Sequence, residues 1–163
     1  MGAWDAGSFQ NDWALDWAGD LSESGDPAAV RTALVRVFEE RRPERPSFIG
    51  RLMGRRVIEP CLEARIACQG LAAAEIVAFW LGKPDGHFPD YLRNWATRHS
   101  AAFSPEFVTL ARQAVSSIKT KSELKDLWEE GDETIASKWH AAIADLENRL
   151  QTQHTPVEPG LEL

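Results

Sequence analysis

Few residues in this chain have a type and spacing that could do chemistry. Asp12, Asp16 and Asp20 are spaced by four, so on a helix their carboxylates line one side. Oxygen ligands of this kind suit Mg²⁺ or Ca²⁺. Without metal, the same stripe is an acidic contact surface for a basic partner, or a solvated face whose first acid complements the helix dipole. A metal site would draw carboxylates from a second element as well, and the sequence offers no obvious second cluster; no metal or cofactor is expected. A second acidic run, Glu129, Glu130, Asp132 and Glu133, joins the stripe as a candidate partner surface.

Glu75 is embedded in Ala72-Ala73-Ala74-Glu75-Ile76-Val77-Ala78. A carboxylate there has its pKa raised unless it is paired. It is either a buried general acid or base or, more commonly, one half of an ion pair with an arginine. His87 sits in Asp85-Gly86-His87-Phe88-Pro89-Asp90, one imidazole between two acids, in a pattern that also reads as a turn. His99, His140 and His154 are isolated, and none of the histidines forms a zinc-type pair.

Arg41, Arg42, Arg45, Arg51, Arg55 and Arg56 form a third group. Arginine forks suit phosphate and carboxylate, so the segment is a candidate anion site. Nucleic-acid binding would want interleaved aromatics for stacking, and Phe48 is the one aromatic available. The net charge of −7 also disfavours nucleic acid and anionic membranes. Pairing with internal or partner carboxylates is the favoured use. Charge is layered along the chain: residues 1–26 hold six acids and no Lys or Arg, whereas residues 27–65 hold nine Arg against five Glu.

A nucleophile is hard to find. The chain has no Gly-x-Ser-x-Gly, no phosphate-cradling glycine loop and no recognisable Cys/His spacing. Enzymatic activity is left open, with a non-enzyme favoured. Cys61 and Cys68 are seven apart in a stretch that reads as helix, about 10 Å between Cα atoms and beyond disulfide reach. Free thiols and the lack of a cationic signal sequence point to the cytoplasm. The most apolar run, Gly70 to Gly82, contains Glu75 and is too short to span a bilayer.

The elements that must position these groups are helical nearly throughout. With 163 residues, one domain is the simplest division. Asn11 can cap a first helix with Trp13, Ala14, Trp17, Ala18 and Leu21 on one face. Asp26-Pro27 opens a second, with Val30, Ala33, Leu34, Val37 and Phe38 inward. Residues 41–60 read as a short amphipathic helix or an ordered loop. Glu59-Pro60 then starts the most apolar helix, which stops at Gly82. Pro89 and Ser104-Pro105-Glu106 open two more helices, the latter burying Phe107, Val108, Leu110, Ala111, Ala114, Val115 and Ile118. Ser122 caps another, with Leu124, Leu127 and Trp128. The pattern then continues past Gly131 or restarts at Thr134, with Ile135, Trp139, Ala142, Ile143, Leu146 and Leu150. The expectation is an all-α compact bundle of about six to seven helices around a central apolar helix at residues 60–81. Residues 1–151 form a single domain, and 152–163 a disordered tail.

The opening Met1-Gly2-Ala3-Trp4, with Gly7, Phe9, Asn11-Asp12, Ala14 and Asp16, resembles the start of a bacterial family described as a domain of unknown function, family 4259. Ala72 to Ala78 with Gly82, and Ser122-Glu123-Leu124 through Leu127-Trp128-Glu129-Glu130 with Trp139 and Leu146, are similar to the family in the same order. Two features depart from it: Asp5 stands where a glycine is usual, and the arginine-rich stretch is longer. The resemblance implies a small, mainly helical bacterial protein and no particular activity. The motif itself reads as an anchor. Gly2 and Gly7 permit tight bends, Trp4 and Phe9 enter the core, and Asn11 with Asp12 satisfies the first free amides of the helix.

Three functions follow as expectations. The favoured one is a non-enzymatic binding protein of the immunity or antitoxin type, whose acidic surface covers a basic protein such as a toxin. The second is a metal-dependent hydrolase-like enzyme in which Asp12, Asp16, Glu75 and His87 converge. The third is an anion or nucleic-acid binder acting through the arginine segment.

Overall fold

The computed structural model of the chain describes residues 5–42 and 61–151. Gly2 and Trp4 of the opening motif, Arg45, Arg51, Arg55 and Arg56, and the tail 152–163 lie outside the described residues. The described residues form an all-α bundle: α1 (Asp12–Ser24), α2 (Ala28–Glu39), α3 (Ala64–Trp80), α4 (Asp90–Arg98), α5 (Pro105–Thr120), α6 (Glu123–Glu129) and α7 (Glu133–Arg149).

Helix α3 is the axis. Thirteen of its residues are buried, because its apolar positions run almost all round rather than along one stripe. It packs against α1, α2 and α5 through small residues. Gly70 marks the tightest approach: a Cβ there would lie 2.6 Å from Val37 Cγ2 and 3.2 Å from Ile118 Cδ1. The helix stops as Gly82 predicts. Gly82 takes φ +77°, its N–H donates to the Phe79 carbonyl, and the Lys83 N–H donates to the Ala78 carbonyl, a paired closure that satisfies two orphan carbonyls.

The start of α3 differs from the expectation. Cys61 and Leu62 do not belong to it; they form a two-residue strand (β2) that pairs antiparallel with Arg41–Arg42 (β1). Leu62 is fully buried and also bridges to Ser122. The central helix begins at Ala64, whose N–H donates to the Glu123 carboxylate at 3.1 Å. The cap comes from α6, nearly sixty residues away, so a local reading of Glu59-Pro60 places the start too early. Cys61 and Cys68 therefore lie on different elements. Both are free thiols, and burial pushes Cys68 up to about 12.

The remaining faces pack largely as their spacing implies. Ala14, Ala18 and Leu21 of α1 are buried, with Trp13 and Trp17 partly covered beside them. In α5, Phe107, Val108, Ala111, Ala114, Val115 and Ile118 are buried, while Leu110 is half-buried. After Gly131 the helical pattern restarts, at Glu133, with Trp139, Ile143 and Leu146 inward. Three residues leave the expected core: Phe38 at 39% exposed, Leu127 at 56% and Ile135 at 42%.

Candidate functional site

The residues singled out in the sequence fall into two places. The first is a cavity of about 310 Å³ at one end of the bundle, lined by residues 5–8, Gln10, Glu75, Asp85, His87, Lys138, Asp145 and Arg149 among others. Glu75 forms its floor because it sits in the fourth turn of α3, facing Ser8 on one side and the end of α7 on the other. It is 2% exposed. Arg149, in the last turn of α7, grips it with both forks: Nη1 donates to Oε2 at 2.6 Å and Nη2 to Oε1 at 2.9 Å. The Ser8 hydroxyl donates to Oε1 at 3.0 Å. Arg149 Nε donates to Asp145 at 2.6 Å, and Nη1 also reaches the Lys83 carbonyl at 3.3 Å.

This geometry settles the two readings of Glu75 in favour of the ion pair. Burial holds its carboxyl above its ordinary value, and the bonds from Arg149 and Ser8 offset only part of that rise. For Arg149, burial acts to lower the guanidinium; the bonds and charge of Glu75, then of Asp145, carry it above its ordinary value. Both carboxylate oxygens of Glu75 accept hydrogen bonds, Oε1 from Ser8 and Arg149 and Oε2 from Arg149. The pair does mechanical work. It joins α3, α7 and the segment before α1 at one point.

That segment is the described part of the opening motif. Phe9 is buried and meets Phe88 edge to face, with centroids 5.4 Å apart. Asn11 Oδ1 accepts the Ala14 N–H at 2.8 Å, and Asn11 Nδ2 donates to the Ser8 carbonyl at 3.2 Å, so one side chain caps α1 and fixes the approach to it. Gly7 has no positive φ. Its lack of a side chain leaves room for Gln10 to fold back, and the Gly7 N–H donates to Gln10 Oε1 at 2.8 Å. The expected tight bend is present, since Gly7 lies in a bend and its carbonyl accepts the Gln10 N–H at 3.0 Å, and the glycine also meets a space requirement there. Asp12 occupies the first turn of α1.

His87 shares the cavity with Glu75 as one face of a turn. Its backbone N–H donates to Asp85 Oδ2 at 3.1 Å, Nδ1 lies 3.6 Å from the same oxygen, and the ring is largely exposed. Asp12 and Asp16 are not among the cavity's lining residues. The four groups of the hydrolase alternative therefore do not share this pocket. Among the described residues, no group of three or more His, Cys, Asp or Glu is placed to hold a metal ion.

The second place is the surface. Asp16 and Asp20 are exposed, and among the described residues neither carboxylate makes a hydrogen bond or ion pair. The run at the α6–α7 corner divides. Glu129 pairs with Lys125 at 2.6 Å and with His140 at 3.2 Å; Lys125 holds its carboxyl below the usual range. Asp132 caps α7 by accepting the Thr134 N–H at 2.7 Å. Glu130 and Glu133 are exposed and unpaired among the described residues. Of the arginine group, Arg41 and Arg42 form β1.

Sequence reading missed Ser8, Asp145 and Arg149. Ser8 sits inside the motif and is flagged by its neighbours. Arg149 and Asp145 are an i, i+4 pair at a helix end, a spacing so common on surfaces that it carries no local signal.

Among the described residues, fold and site define a helical protein in which the buried Glu75 is paired with Arg149 and Asp16, Asp20, Glu130 and Glu133 are exposed. It belongs to the family described as Domain of unknown function (DUF4259), whose model matches residues 2–142. Neither the curated proteins nor the solved structures supply a match.

Proposed function

We propose that this protein is a non-enzymatic protein-binding module, of the immunity or antitoxin type, whose acidic surface covers a basic partner. One observation carries the reading: exposed carboxylates at Asp16, Asp20, Glu130 and Glu133 have no cationic neighbour among the described residues, while the buried Glu75 is consumed by Arg149. Unpaired like charge repels itself, and a cationic surface brought against it relieves that repulsion and steers encounter. The net charge of −7 acts in the same direction.

The test is photo-crosslinking in the native cell, with a crosslinking residue placed in turn at positions 16, 20 and 130. A control position is Ser116, in the polar groove of about 790 Å³ between α5 and α7. The expected result is one discrete adduct from the acidic positions, with a basic protein and suppressed by salt. Adducts from position 116 alone, or with an acidic protein, overturn the reading.

A further inference from the structure

At the α6–α7 corner the acids surround something apolar. Leu127 is 56% exposed and Ile135 42%. Neither is a stray. Leu127 lies three residues after the buried Leu124, and Ile135 four before the buried Trp139, so each adjoins the core-facing stripe of its helix and widens it into an exposed apolar edge. Residues 130–132 join the two helices, so both stripes end beside the same short turn, with the partly buried Trp128 adjoining. Residues 122–135 carry six acids and one lysine, of which Glu130 and Glu133 are exposed and unpaired among the described residues.

We infer that this corner is the docking point for a cationic amphipathic helix of the partner, with apolar side chains on Leu127, Trp128 and Ile135 and Lys or Arg on the acidic rim. The inference rests on the acidic surface being a partner site, and deepens it by choosing the corner over the α1 stripe. Charge complementarity selects the occupant. Apolar contact alone would admit any hydrophobic segment, but a rim of net −5 repels acidic ones and draws basic ones in. An amphipathic helix presents both features at the spacing of one helix face.

The probe is a short synthetic peptide of leucine and lysine with the two types segregated on a helix. Its control has the same composition scrambled so that they do not segregate. Binding is followed by NMR on the isotope-labelled full chain at low salt. Shifts should concentrate on the Leu127 and Ile135 methyls and the Trp128 indole, for the segregated peptide only. Leu127→Ser with Ile135→Ser should weaken binding about tenfold, and Glu130→Lys with Glu133→Lys by a similar factor. Both pairs sit on the surface, and far-UV circular dichroism checks that they fold. Shifts centred on Asp16 and Asp20, or equal shifts with the scrambled peptide, overturn the corner and leave a charge-only surface standing. No binding of either peptide at low salt overturns both readings.

Discussion

Glu75→Ala is the sharpest perturbation of the clamp. Glu75 is 3% and Arg149 15% exposed at the side chain, so truncation leaves a largely buried guanidinium aimed at an emptied site on the floor of the cavity. Breaking a buried pair from one side costs about 3–5 kcal/mol. The lost Ser8 bond belongs to the same network and adds about 1 kcal/mol. Asp145 remains on Arg149 Nε and compensates part of the charge, which places the expected loss at about 3–4 kcal/mol. A domain of this size has a stability of about 5–15 kcal/mol, so urea unfolding followed by tryptophan fluorescence resolves the change easily. Hydrogen exchange adds the local readout: the Gln10 N–H, bonded to the Gly7 carbonyl, should lose protection as the segment before α1 is released. Glu75→Leu combined with Arg149→Met removes both charges, and should recover most of the loss. A cost below about 1 kcal/mol for Glu75→Ala, or strict additivity of the two single changes, would refute a coupled structural clamp.

Two further changes test packing and ionisation. Gly70→Ala should destabilise by about 1–2 kcal/mol despite better helix propensity, because the new Cβ meets Val37 and Ile118; Gly19→Ala, with nothing within 4 Å, should stabilise by up to about 1 kcal/mol. The reverse order in thermal unfolding contradicts the packing described. The buried Cys68 thiol holds its proton up to about 12, against an ordinary 9.0. Its folded pKa is raised, so its contribution is complete below pH 9 and drains as pH rises towards 12, by up to about 1.4 kcal/mol per pH unit. The stability advantage of the wild type over Cys68→Ala should therefore shrink across that window, and a constant difference would show that Cys68 is not buried.

Much of the fold was legible because its signals are local. Asn11, Ser122 and Gly82 terminate helices with their own side chain or their own φ, so sequence alone finds them. The start of α3 was not legible, because its cap is Glu123, and Leu62 is drawn into extended pairing by Arg41 and Ser122. Periodicity marked Leu127 and Ile135 as inward, and the structure leaves both exposed. It cannot say how wide the buried stripe is or where the core ends: Leu127 stays exposed beside Trp128, which packs against the core, and Ile135 sits in the first turn of α7. Of the candidate site, Glu75 was visible as an anomaly in an apolar helix, and its arginine was expected in kind. Arg149 itself, 74 residues away, was not, since nothing in its own neighbourhood distinguishes it from a surface charge.

The claim that the displayed acids are the working surface is tested most directly by charge reversal against the crosslinked partner, purified and measured by calorimetry. Asp16→Lys with Asp20→Lys, and separately Glu130→Lys with Glu133→Lys, leave the core untouched. At least one pair should weaken binding about tenfold or more, with the wild-type affinity falling as salt rises. An unchanged Kd for both pairs, at low and at high salt, would contradict it.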